Sequence, residues 1–104
     1  MFAVILCTTP IGEADKISRP LVEEKLVACI NVANVDSFFR WEGHCKTEKE
    51  SLLIMKTRTD RIGQVIKRVK AIHPYEVPEI IALPIIDGIE EYLQWVEDSI
   101  STPD

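Results

Sequence analysis

Two uninterrupted apolar runs, Phe2 to Cys7 and Leu52 to Met55, constrain this chain more than any other feature. The first is rich in β-formers and closed by Thr8-Thr9-Pro10, so it reads as a strand buried on both faces, and the second reads as a strand of the same kind. Around them the periodicity changes. Ala14, Ile17, Leu21, Val22 and Leu26 recur at three- and four-residue spacing, the pattern of an amphipathic helix. Pro20 removes a hydrogen bond to the Lys16 carbonyl, which predicts a kink or a late start to the regular part. Ala28 to Thr57 reads as a long hairpin turned at Glu42-Gly43-His44. Its first arm places Ile30 and Val32 on one parity but Val35, Phe39 and Trp41 on the other, which predicts a bulge near Ala33-Asn34. Ile62, Val65, Ile66, Val69 and Ile72 mark a second helix, with Thr59 or Asp60 as its N-cap and Pro74 as its stop. Ile80 to Ile86 is a fourth strand, and Pro84 within it demands an edge or a bulge. After Asp87-Gly88, a last helix carries Ile89, Tyr92, Leu93, Val96 and Ile100, and a polar tail runs from Ser101 to Asp104.

The order β-α-β-β-α-β-α, joined by right-handed crossovers, favours a four-stranded antiparallel sheet with strands one and three central. This is the split βαβ, or ferredoxin-like, α+β sandwich with an additional C-terminal helix. The continuous runs then lie in the middle, and the bulged and proline-bearing segments fall at the edges. With 104 residues the whole chain, 1–104, is expected to form one domain.

Seventeen acidic against twelve basic side chains give a net charge of −5, with no Lys/Arg cluster dense enough to track phosphates, so nucleic acid is not an expected partner. No stretch approaches the ~20 apolar residues of a spanning helix, so no membrane partner is expected either. The opening run is too short for a signal segment and lacks a basic leader. Three cysteines cannot all pair within one chain and form no CxxC, which fits a reducing cytoplasm.

In this topology strand one ends, the second helix ends and strand four begins at one end of the sheet, which gathers Cys7, His73, Glu76 and Glu79. Cys29 lies at the opposite end. A thiolate, an imidazole and carboxylates are the ingredients of a transition-metal site, with copper or zinc favoured over magnesium or calcium. The competing reading makes Cys7 a small core residue and His73 a helix-end residue before a proline. His44-Cys45 is a second candidate pair, but strand neighbours point to opposite faces, and a solvated hairpin tip is the simpler account. Glu50 and Lys56 flank strand three and either pair across subunits or sit in solvent. Trp41, Tyr75 and Trp95 are packing residues or interface anchors. No GxSxG elbow or phosphate-cradling glycine loop is present, so no catalytic residue is expected.

Several segments together resemble the CutA divalent-cation tolerance proteins: VILCTTP, VEEKLVACINV, FFRWEG, ESLLIMKT, HPYEVPEIIALPI and YLQWV. The resemblance spans nearly the whole chain, and HPYEVPE is its most distinctive part. It implies a ferredoxin-like subunit assembled as a cytoplasmic homotrimer, a role in tolerance of divalent cations, and copper binding in some members. The family's copper ligands correspond to Cys7 and His73. A second histidine that some relatives carry directly before the HPY motif is Ile72 here, and Glu76 or Glu79 is the expected substitute. Other divalent cations are also possible ligands. Unpaired edges on strands two and four give the trimer a physical motive. Such trimers resemble PII signalling proteins, so the alternative is a PII-like sensor or scaffold binding a small metabolite or partner in the intersubunit cleft, near Trp41, Lys56 and Tyr75.

Overall fold

The computed structural model describes residues 1–101. Its elements are β1 (Phe2–Pro10), α1 (Ala14–Glu23), β2 (Cys29–Trp41), β3 (His44–Arg58), a 3-10 turn (Thr59–Arg61), α2 (Ile62–Ile72), β4 (Ile80–Ile85) and α3 (Glu90–Ser101). They form the expected α+β sandwich, a four-stranded antiparallel sheet in the order β2-β3-β1-β4. The polar tail shrinks to residues 102–104, which lie outside the described residues, because Ser101 still belongs to α3.

The continuous runs hide a strict alternation. Ile5 and Cys7 of β1 and Leu53 and Met55 of β3 are buried beneath α1 and α2, packed with Ile17, Leu21, Val65 and Val69, and Ala3 of β1 is buried as well. Their neighbours Val4, Leu6, Leu52 and Ile54 face the other way and are only half-buried. The expectation of burial on both faces therefore holds for one face within a single copy. On the other face β4 adds Ile81 and Leu83, which are 50% and 48% exposed.

Pro20 sits inside α1 rather than marking its start. An interior proline costs roughly 3 kcal/mol, but Ile17 and Leu21 are both fully buried and each contributes about 1.5–3 kcal/mol. Packing outweighs the lost bond. The helix closes with Lys25 in the left-handed region at φ 59, its N–H bonding to Val22 O at 3.1 Å and that of Leu26 to Leu21 O at 3.0 Å. At the other helix, Thr59 and Asp60 enter the 3-10 turn, so Arg61 rather than either of them precedes α2.

The expected bulge in β2 is absent. Residues pair one to one from Cys29↔Lys56 to Trp41↔His44. Glu42 (φ 48) and Gly43 (φ 80) form a two-residue turn with both φ positive, which locks that register. The parity change has another cause. Only the proximal part of β2 lies over the helix-packed core, where Ile30 packs, and beyond it Val35, Phe39 and Trp41 present apolar groups to the opposite face without crossing a bulge. The long hairpin gives the molecule a 45 Å longest dimension against 21 Å for its shortest.

α3 covers one end of that opposite face, packing Val96 and Ile100 against Phe2 and Ala28. Arg58 pins it: Nη1 donates to Glu97 and to Ser101, each at 2.6 Å, while Nε and Nη2 grip Asp60. The middle of the face stays open.

Candidate functional site

β1 outlasts β4. Its pairing with β4 stops at Cys7↔Ile80, whereas pairing with β3 continues to Pro10↔Glu50. Past Cys7 the outer side of β1 has no strand partner, and this step in the sheet is where α2 ends. Pro74 pushes His73 out of helical geometry to φ −75, ψ 138, which turns its ring toward β1.

The ring is 8% exposed and both of its nitrogens are occupied. Nε2 lies 2.8 Å from the Thr8 carbonyl, and the Tyr75 N–H donates to Nδ1 at 3.0 Å. The Cys7 thiol donates to the same Thr8 carbonyl at 3.7 Å. Tyr75, its ring 4.9 Å from that of His73, crosses to the open side of the sheet and donates its hydroxyl to Glu50 Oε2 at 2.9 Å. Glu50 is 7% exposed, so the carboxylate that the sequence left between a subunit contact and a solvated edge is a buried one.

Electrostatics reinforce this picture. Burial, then the charges of Glu79 and Glu50, push the Cys7 thiol up to about 12. Burial and the Glu50 hydrogen bond push the Tyr75 phenol up to about 12 as well. Two carboxylates thus stand near a buried thiol, and no lysine or arginine among the described residues pairs with either. Glu76 is exposed and makes no bond to Cys7 or His73 among the described residues.

The sheet end therefore gathers Cys7, His73 and Glu79 as the topology predicts, and adds Glu50. Whether the donors suit a soft metal is a separate question. Cys7 is fully buried and holds its proton, and His73 has no free lone pair. Among the described residues no three His, Cys, Asp or Glu side chains converge to hold an ion. As arranged in one copy, Cys7 and His73 do not fit copper.

The remaining candidates are spread out. Lys56 opposes Cys29, and Trp41 opposes His44, twelve register steps further along the hairpin, roughly 40 Å at the rise of a strand. One copy cannot build a single cleft from them. Lys56 Nζ bonds to Asn31 Oδ1, Trp95 on α3 is 46% exposed beside Tyr92, and Trp41 is 57% exposed. His44 and Cys45 are both exposed at the tip, on opposite faces as expected. The residue pattern does not show the Thr8 carbonyl or the Tyr75–Glu50 bond; the only signal is the distinctiveness of the HPYEVPE segment.

These features define a ferredoxin-like fold with one helix-covered face, one open face and an acidic, thiol- and imidazole-bearing sheet end. The model of the CutA1 divalent ion tolerance protein family matches residues 3–99, and the chain belongs to that family. It is 46% identical over 101 residues to the divalent-cation tolerance protein CutA of Thermus thermophilus, covering 95% of this chain and 98% of the relative. The structure of the periplasmic divalent cation tolerance protein CutA from Archaeoglobus fulgidus superposes with a TM-score of 0.94 at 39% identity, covering 97% of this chain and all of that one. The chloroplastic CutA of Arabidopsis thaliana is 42% identical over 98 residues, covering 92% of this chain and 54% of the relative. Relatives thus occupy more than one compartment. The family is named for ion tolerance, not for a reaction.

Proposed function

We propose that this chain is a non-catalytic, divalent-cation-binding protein of ion tolerance, working in the cytoplasm as a homotrimer that takes the ion at the sheet end. The observation that carries the reading is the sheet end: Glu50 and Glu79 stand close enough to Cys7 to raise its thiol, with no lysine or arginine paired to them among the described residues. A divalent cation would relieve that concentration of negative charge. Glu76, exposed on the same loop, is available to it. Copper is the ion that a thiol and an imidazole favour, but Cys7 and His73 are both committed to the Thr8 carbonyl, so in this reading the carboxylates carry the ion.

Assembly is supported by the open face and by the unpaired outer edges of β2 and β4, which cyclic packing of like chains would cap. Three free thiols suit a reducing compartment. A second reading, a PII-like sensor or scaffold binding a small metabolite or a partner protein, is favoured by Lys56, whose ammonium on the open face is held by Asn31 and, among the described residues, by no carboxylate. Calorimetry with Cu²⁺, Zn²⁺ and Mg²⁺, beside a thermal-shift series with nucleotides, separates the two. Saturable binding of a divalent ion at one per chain supports the first reading; stabilisation by anionic metabolites alone overturns it.

A further inference from the structure

We infer that His73 is a positioning residue in this chain and not a metal ligand: together with Cys7 it closes an unpaired end of β1 and sets Tyr75 on Glu50. This deepens the cation-binding reading by removing the thiol and imidazole from its ligand set.

The argument starts from the backbone. Thr8 is 9% exposed and lies one residue past the last β1–β4 pair, so on that side no strand N–H reaches it. A buried carbonyl left without a donor costs about 1–3 kcal/mol, and buried backbone groups in folded proteins are nearly always paired. The donor here is the His73 ring. A carbonyl only accepts, so Nε2 carries the proton. A backbone N–H only donates, so Nδ1 carries the lone pair that receives Tyr75. The two contacts fix the neutral Nε2–H tautomer with no lone pair to spare.

Coordination by Nε2 would strip its proton and leave the Thr8 carbonyl with only the weak Cys7 thiol as donor. Coordination by Nδ1 would expel the Tyr75 N–H and loosen the phenol from Glu50. Cys7 is committed in the same sense, since its S–H points at the same oxygen. Ile72, directly before His73, contributes no donor and packs against the core instead. Two donors converging on one carbonyl describe a clasp, in which the sheet end is completed by side chains where β4 falls short.

The test uses the full chain in its native assembly. Long-range ¹⁵N-edited spectra of the His73 ring should show the Nε2–H tautomer, unchanged by saturating Zn²⁺. His73→Gln, whose amide N–H can reach Thr8, should hold Tm close to wild type, while His73→Ala lowers it by about 5 °C or more. Cu²⁺ affinity in His73→Gln and Cys7→Ala should stay within about twofold of wild type. A ring nitrogen that shifts on Zn²⁺ addition, or a tenfold loss of Cu²⁺ affinity in both folded variants, overturns the inference and leaves the cation-binding function standing. If the wild type binds no divalent ion, that function falls, and the tautomer together with the Gln/Ala contrast still decides the clasp.

Discussion

The two faces of the sheet are built from the same strands and share their apolar character, yet α1 and α2 close the centre of one and leave the centre of the other open. Beneath α1 and α2, Ile5, Cys7, Leu53 and Met55 are fully buried. On the reverse, Val4, Leu6, Leu52 and Ile54 are half-buried, Ile81 and Leu83 are half-exposed, and α3 covers only the Phe2 end. A strand that is apolar on both sides states that both sides need cover. It does not say whether the cover comes from the same chain. Here folding covers one half, and the other half is the surface on which the proposed assembly rests.

The sharpest way to break this comparison is a matched pair of truncations. Leu53→Ala should cost about 2–5 kcal/mol in denaturant unfolding wherever it is measured, because it opens a cavity in the closed core. Leu83→Ala should cost under about 1 kcal/mol in a separated chain and show its effect as weaker assembly in sedimentation. Equal costs in an isolated chain would mean that the faces do not differ. Next in size, Tyr75→Phe removes the donor of the buried Glu50 carboxylate and should cost about 1–3 kcal/mol by the same measurement.

Alkali separates buried groups from exposed ones. The Cys7 thiol is raised from 9.0 to about 12, so the folded chain keeps its proton after the unfolded chain has lost it. Stability from this group is complete below pH 9 and drains away as pH climbs toward 12. Tyr75, raised from 10.0 to about 12, acts in the same sense. Cys7→Ala should flatten the pH 9 to 12 decline, while a change at the exposed Cys45 should leave it alone. The smallest effect belongs to the hairpin tip, where Glu42→Asn should add less than about 1 kcal/mol by easing a side chain at φ 48 into a conformation asparagine tolerates.

Which parts of this were readable from residues follows from the same contrast. Strand order was legible because Pro84 bars β4 from the centre and two apolar runs demand it. The bulge expected near Ala33 was a false inference from parity: it assumed that all of β2 serves one core, whereas its distal Val35, Phe39 and Trp41 sit on the open face. The sheet-end gathering of Cys7, His73 and Glu79 followed from topology. The clasp did not, because its central atom is a backbone oxygen of Thr8 and its cause is the length of β4, neither of which side-chain patterns record. Glu50 stayed open between a subunit contact and solvent for a similar reason: nothing in the spacing of ESLLIMKT reveals that Tyr75 reaches it across the strand end.

Native mass spectrometry of the chain under mild conditions tests the division of the two faces most directly. The account predicts a species of three times the 11.8 kDa chain mass, which Leu83→Lys converts to single folded chains. A wild-type chain that stays monomeric at high micromolar concentration, with its open face in water, would contradict it.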